Sequence, residues 1–172
     1  GGSELAAGVS VFILCLFLMF LVSTLYHCMP FGTTHKYVFR KLDHICIYFA
    51  IAGSYTPIAL TLIGGWQGYL ILAIEWIAVL GGVLLKAISS KSYPKLSMTI
   101  YMIMGWTAVF FLPALLSKAT PLFLGLIVGG GVMYTIGAFF YGKPQNKYFH
   151  SIWHICINLA SILHFIAIVF VM

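Results

Sequence analysis

Three histidines punctuate the apolar stretch YFHSIWHICINLASILHF, Tyr148 to Phe165. Two of them, His150 and His154, are four residues apart, so on a helix both imidazoles leave the same face. Donors at that spacing can share a metal ion. A third imidazole from another helix, His27, would make three protein ligands and leave the fourth tetrahedral position open. That is the pattern of a catalytic zinc site, whereas structural sites are closed. Zinc in such a site brings the pKa of its water to about 7. Asp43 could hold that water and accept its proton, and Ser23 could bond the water or a developing oxyanion. The reaction class is metal-assisted hydrolysis of an amide or ester in a lipid.

Such a site needs elements to position it, and composition says what they are. The chain of 172 residues is 62% hydrophobic and only 7% charged, against about 25% charged in soluble domains. It cannot coat a globule with a polar surface and reads as an all-α integral membrane protein, one transmembrane domain over residues 1–172. Six apolar segments are expected to be helices: Leu5–His27, Leu42–Ile63, Tyr69–Ile88, Leu96–Leu116, Pro121–Tyr141 and Tyr148–Met172. Each is near the ~20 residues that cross a bilayer core, and none alternates as a barrel strand does. The breaks MPFGTTHK, IGGWQG, SSKSYPK, SKATP and YGKPQNK carry turn chemistry. Pro121 suits a first helical turn. Pro57 and Pro113 fall inside spans, where packed neighbours tolerate them.

Loop charge then orients the bundle. Lys36, Arg40 and Lys41 lie between spans one and two, Lys86, Lys91 and Lys95 border the gap between three and four, and Lys143 and Lys147 separate five from six. These gaps face one side, and only Lys118 faces the other. Basic loops stay cytoplasmic, which puts both termini outside and explains the net charge of +6 as topology rather than as a nucleic-acid footprint. With that orientation His27 and Ser23 end span one, Asp43 opens span two, and His150 and His154 open span six, all on the cytoplasmic side. Polar groups inside a bilayer face a cavity or a partner because solvating them in lipid is costly.

Each residue also has a plainer role. A lone H-x-x-x-H arises by chance, Asp43 could be a first-turn anion favoured by the helix dipole, and Ser23 could bond back to its own helix. His164 lies on the order of 15 Å deeper than His154 and reads as a hydrogen-bonded core residue. His44 and His35 read as interfacial or loop residues. Cys15, Cys28, Cys46 and Cys156 show no C-x-x-C spacing, so neither a disulfide framework nor a fourth ligand follows. Gly125 and Gly129 form a G-x-x-x-G that permits close helix packing, between copies or within one chain.

Four blocks carry a family resemblance: STLYH (Ser23–His27), RKLDHICIYFAIAGSYTP (Arg40–Pro57), YMIMGW (Tyr101–Trp106) and HSIWHICINLASILHF (His150–Phe165). In this order and spacing the chain resembles the hemolysin III family, itself similar to the progestin and adipoQ receptors that include the adiponectin receptors. The resemblance implies a seven-helix membrane protein with zinc near the cytoplasmic face, held by His27, His150 and His154, with Asp43 and Ser23 around its water. It also implies kinship with proposed membrane hydrolases, among them alkaline ceramidases. Two departures stand out. Six spans are counted, so the first family helix would precede Gly1, and Ser151 stands where many relatives carry an acidic residue.

The expectation is therefore a multi-span helical bundle in the cell membrane, with a zinc centre acting on a ceramide-like lipid. A pore-forming cytolysin is the main rival, and a receptor or sensor with structural zinc is the third class. Few polar residues recur along any one helix face in the outer halves of the spans, which argues against a continuous pore.

Overall fold

The computed structural model describes residues 2–88, 94–143 and 148–172. Among these, all regular structure is helical, and six helices are long and apolar enough to cross a membrane: Gly2–Cys28, Thr34–Ile63, Gly65–Ile88, Lys95–Lys118, Pro121–Tyr141 and Phe149–Val171. The protein is a multi-span helical membrane protein. In lipid a chain must satisfy its backbone within itself, and helices do so residue by residue. The turn readings SSKSYPK and YGKPQNK, with Lys91 and Lys147, fall largely outside the described residues.

The chain forms two compact units, Gly1–Met104 and Gly105–Met172. The first contains α1 (Gly2–Cys28), α2 (Thr34–Pro57), α3 (Gly65–Ile88) and most of α4 (Pro94–Trp106). Small residues set how closely these helices approach. A Cβ on Gly8 of α1 would fall 2.7 Å from the Pro57 Cα, and one on Gly53 of α2 would fall 2.8 Å from the Cys15 Cβ. The antiparallel α1–α2 pair is thus fixed at two heights. On α3, the residues Gly68, Ile71, Glu75, Val79 and Gly82 are buried, a stripe at helical spacing. Its ends meet span two, with Gly68 against the Ala59 carbonyl and Gly82 against the ring of Tyr48. The core of this unit is Tyr48, Ala52, Val79, Tyr101 and Met104. The rings of Tyr48 and Tyr101 sit 4.5 Å apart, and the Tyr101 hydroxyl donates to the His44 carbonyl at 2.7 Å.

Span two begins at Thr34, eight residues before the expected Leu42. The Thr33 side chain caps it by accepting from the Lys36 amide at 3.2 Å, a standard device for an orphan amide. The cap extends the helix through His35, Lys36, Arg40 and Lys41, which hydropathy alone assigns to a loop. Asp43 consequently lies well inside α2 rather than at its start. The first turn holds no acidic residue, so the dipole-anion role does not apply.

Both internal prolines coincide with a change of helix type. After Pro57 the chain widens into a π-turn, Ile58–Ile63, closed by the Gly64 amide on the Ala59 carbonyl at 2.9 Å. Gly64 and Gly65 then take positive φ and turn the chain into α3. Span four is not one uniform helix. Between α4 and α5 (Leu112–Lys118) lies a 3₁₀ segment, Thr107–Phe111, in which the Leu112 amide bonds the Val109 carbonyl. Pro113 has no amide to offer that carbonyl, and the tighter turn supplies the missing partner.

The second unit adds α6 (Pro121–Tyr141) and α7 (Phe149–Ile166). Thr120 caps α6 through the Phe123 amide, and Pro121 takes the first turn as expected. The close glycine contacts are not those of the G-x-x-x-G pair. Gly125 has open space at its Cβ position and Gly129 an ordinary contact, whereas a Cβ on Gly137 would meet the Cys156 Cβ at 3.0 Å and Gly130 lies against the His164 ring. These two glycines are seven apart, two helical turns, on the face α6 turns to α7.

Candidate metal centre

The second unit brings His150 and His154 together. Both stand in the first two turns of α7, where the i, i+4 relation stacks them on one face. Their Nε2 atoms are 3.1 Å apart and their rings lie nearly perpendicular, at 84° with centroids 4.7 Å apart. Two imidazoles sharing a tetrahedral zinc at ~2.0–2.1 Å would hold their nitrogens about 3.3 Å apart. The observed pair therefore has the geometry of two legs of such a site, and equally that of an N–H···N hydrogen bond between neutral rings. Tyr141 at the end of α6 backs the pair, its ring 6.4 Å from that of His150 and 5.0 Å from that of Trp153. Gly137 makes room for Trp153, which neighbours the exposed His150 at i, i+3 on α7.

The first unit carries the other three expected residues. His27 is exposed in the last turn of α1, with the Tyr26 ring edge-on to it at 4.7 Å. Ser23 is half-buried one turn earlier. Asp43 is half-buried on α2, and the α1–α2 register set by Gly8 with Pro57 and Gly53 with Cys15 puts it at the height of Ser23. A carboxylate and a hydroxyl at one height, a turn from an imidazole, are the acid–base components that hydrolysis needs.

Two of the remaining histidines are occupied otherwise. His44 donates from Nδ1 to the Arg40 carbonyl at 2.6 Å. His164 donates from Nε2 to the Ile127 carbonyl across the α6–α7 contact at 3.2 Å, with the Tyr134 ring 5.5 Å away. Beside it, the Tyr134 and Ser161 hydroxyls are 3.0 Å apart.

The family model described as "Haemolysin-III related" matches residues 3–165. The chain belongs to the haemolysin III family. It is 32% identical over 170 residues to "Hemolysin-3" of Bacillus cereus, covering 99% of this chain and 77% of that one. It is 32% identical over 161 residues to "Hemolysin-3 homolog" of Bacillus subtilis (strain 168), covering 94% and 75%. It is also similar to the human "Monocyte to macrophage differentiation factor", 29% identical over 158 residues, covering 87% and 64%. No solved structure matches.

Two polar residues of this haemolysin III chain escaped the sequence reading. Glu75 is fully buried near the middle of α3. A single acid inside an apolar 24-residue helix was signal enough. Lys36, counted only as a loop charge, is folded inward with 9% of its surface exposed. Its identity gave no hint of that, because burial depends on the turn that precedes it.

Proposed function

We propose that His27, His150 and His154 hold a zinc ion near the cytoplasmic face and that the protein hydrolyses an amide or ester bond in a membrane lipid, ceramide-like in character. The observation that carries this reading is the 3.1 Å approach of the His150 and His154 nitrogens. Each of the three histidines offers one imidazole nitrogen. Three neutral imidazoles suit zinc better than they suit hard cations such as magnesium or calcium. Span order and loop charge, which assign all three ligands to the same side of the bilayer, support the reading further.

When bound, zinc supplies Lewis acidity toward a carbonyl oxygen and a water. The chain supplies the rest. Asp43 takes the proton of the attacking water and returns it to the leaving amine or alcohol. Ser23 donates a hydrogen bond to the oxygen on which charge develops. Two groups at one height on adjacent antiparallel helices can work on the same reacting carbon without a long loop to bring them there.

The test is elemental analysis of the purified protein beside His27→Ala and His154→Ala, followed by mass spectrometry of ceramide-like lipids incubated with each. About one zinc per wild-type chain, lost in both variants together with turnover, is expected. Full metal in both variants would overturn the ligand set. Dye release from pure-lipid vesicles without lipid cleavage would favour a pore instead.

A further inference from the structure

The turn between α1 and α2 is closed by side chains rather than by backbone alone. Thr33 donates from its hydroxyl to the Pro30 carbonyl at 3.1 Å while its oxygen accepts from the Lys36 amide. The Lys36 side chain then reaches back across the turn. Its Nζ donates to the Met29 carbonyl at 2.9 Å and lies 4.8 Å from the centroid of the Tyr26 ring and 4.1 Å from that of Phe31. Lysine is among the residues least often buried without a partner. Here the ammonium has a carbonyl and two aromatic faces, each of which attracts a cation. It also sits where the α1 dipole ends and a positive charge is favoured.

The consequence lies one residue further along. Tyr26 is held by Lys36 on one side and meets the His27 ring edge-on. The last turn of α1 would otherwise fray, as helix ends do. We propose that Lys36 is a positioning residue for His27: by capping the chain end at Met29 and clamping Tyr26, it fixes where α1 presents its imidazole. The proposal rests on the zinc reading for its function but not for its geometry. An ordinary loop lysine serving only membrane topology would be exchangeable for any other cation position nearby and would not be buried against two rings.

The experiment compares wild type, Lys36→Met, Lys36→Arg and Phe31→Ala in detergent or nanodiscs. It reads zinc affinity by chelator competition and amide hydrogen exchange over residues 26–29. Lys36→Met keeps the length and loses the charge and donor. It should weaken zinc about tenfold, the lower range for residues that support a ligand, and speed exchange over 26–29. Lys36→Arg should restore both, since a guanidinium also stacks on aromatic faces and donates. Phe31 is 90% exposed, so its removal leaves the fold intact. Losing one cation–ring contact should weaken zinc about threefold. If wild type binds no zinc, the zinc reading falls, and the exchange data alone judge the clamp. Equal zinc affinity in wild type and Lys36→Met overturns the positioning role. If Lys36→Met does not fold, unchanged affinity in Phe31→Ala overturns it instead.

Discussion

Gly129, Gly130 and Gly131 are consecutive, yet the structure assigns them three different costs for the same added methyl. At Gly131 nothing lies within 4 Å, at Gly129 the nearest atom is the Leu163 Cδ1 at 3.6 Å, and at Gly130 the methyl would occupy the space of the His164 ring. Replacing glycine by alanine in a helix gains roughly 1 kcal/mol from propensity. Gly131→Ala should therefore stabilise by about 0.5–1 kcal/mol, and Gly129→Ala should be neutral to mildly stabilising. Gly130→Ala gains the same term but must displace His164. Overpacking costs about 1–3 kcal/mol, and leaving the imidazole without the Ile127 carbonyl costs about 1–3 kcal/mol more. The net is a loss of about 1–5 kcal/mol, opposite in sign to its neighbour. Cys156 is a buried thiol on α7, so in a background where it is the sole cysteine a maleimide dye reports thermal opening of the α6–α7 contact. The expected order of midpoints is Gly131→Ala, Gly129→Ala, wild type, Gly130→Ala. A Gly130→Ala protein as resistant as Gly131→Ala would refute the His164 packing and the register of the two helices with it.

Other outcomes follow from the same contacts. Gly82→Ala drives a methyl to 2.6 Å from the fully buried Tyr48 ring; it should lower stability by about 1–3 kcal/mol in reversible detergent unfolding. Tyr101→Phe removes the hydroxyl that donates to the His44 carbonyl and should cost about 0.5–1.5 kcal/mol by the same measurement. His150→Ala should abolish stoichiometric zinc and lipid turnover alike, while His164→Gln, which keeps a donor, should leave metal content at the wild-type level. Stripping the metal with a chelator should lower the unfolding midpoint of wild type but not of His150→Ala, because only a folded chain with its ligands gains binding energy from the ion.

Which features could be read from the residues alone follows from the range of the forces involved. Span number and the start of α6 were legible because hydrophobic length and a Thr-Pro cap are local. The start of α2 was not, because Thr33 caps a polar turn that no hydropathy sum counts as helix. The break at Thr107–Phe111 traces to Pro113, but proline alone does not say whether a helix kinks, tightens or widens; Pro57 and Pro113 chose differently. The His150–His154 pair follows from spacing. The burial of Lys36 and Glu75 and the offset of the tight glycines from Gly125 and Gly129 to Gly130 and Gly137 do not. They depend on which face a neighbouring helix covers, and that is decided by packing across the sequence.

Glu75 bears on how the chain reaches its membrane. An acidic side chain at the centre of a helix costs about 2.5–3.5 kcal/mol when that helix enters lipid by itself. In the finished fold its face is closed off, with Gly68 seated on Ala59 below it and Gly82 on Tyr48 above. Only Gly64 separates α3 from the π-turn that ends span two. The carboxyl is thus carried in lipid at lower cost by span two and α3 packed as a hairpin than by α3 alone.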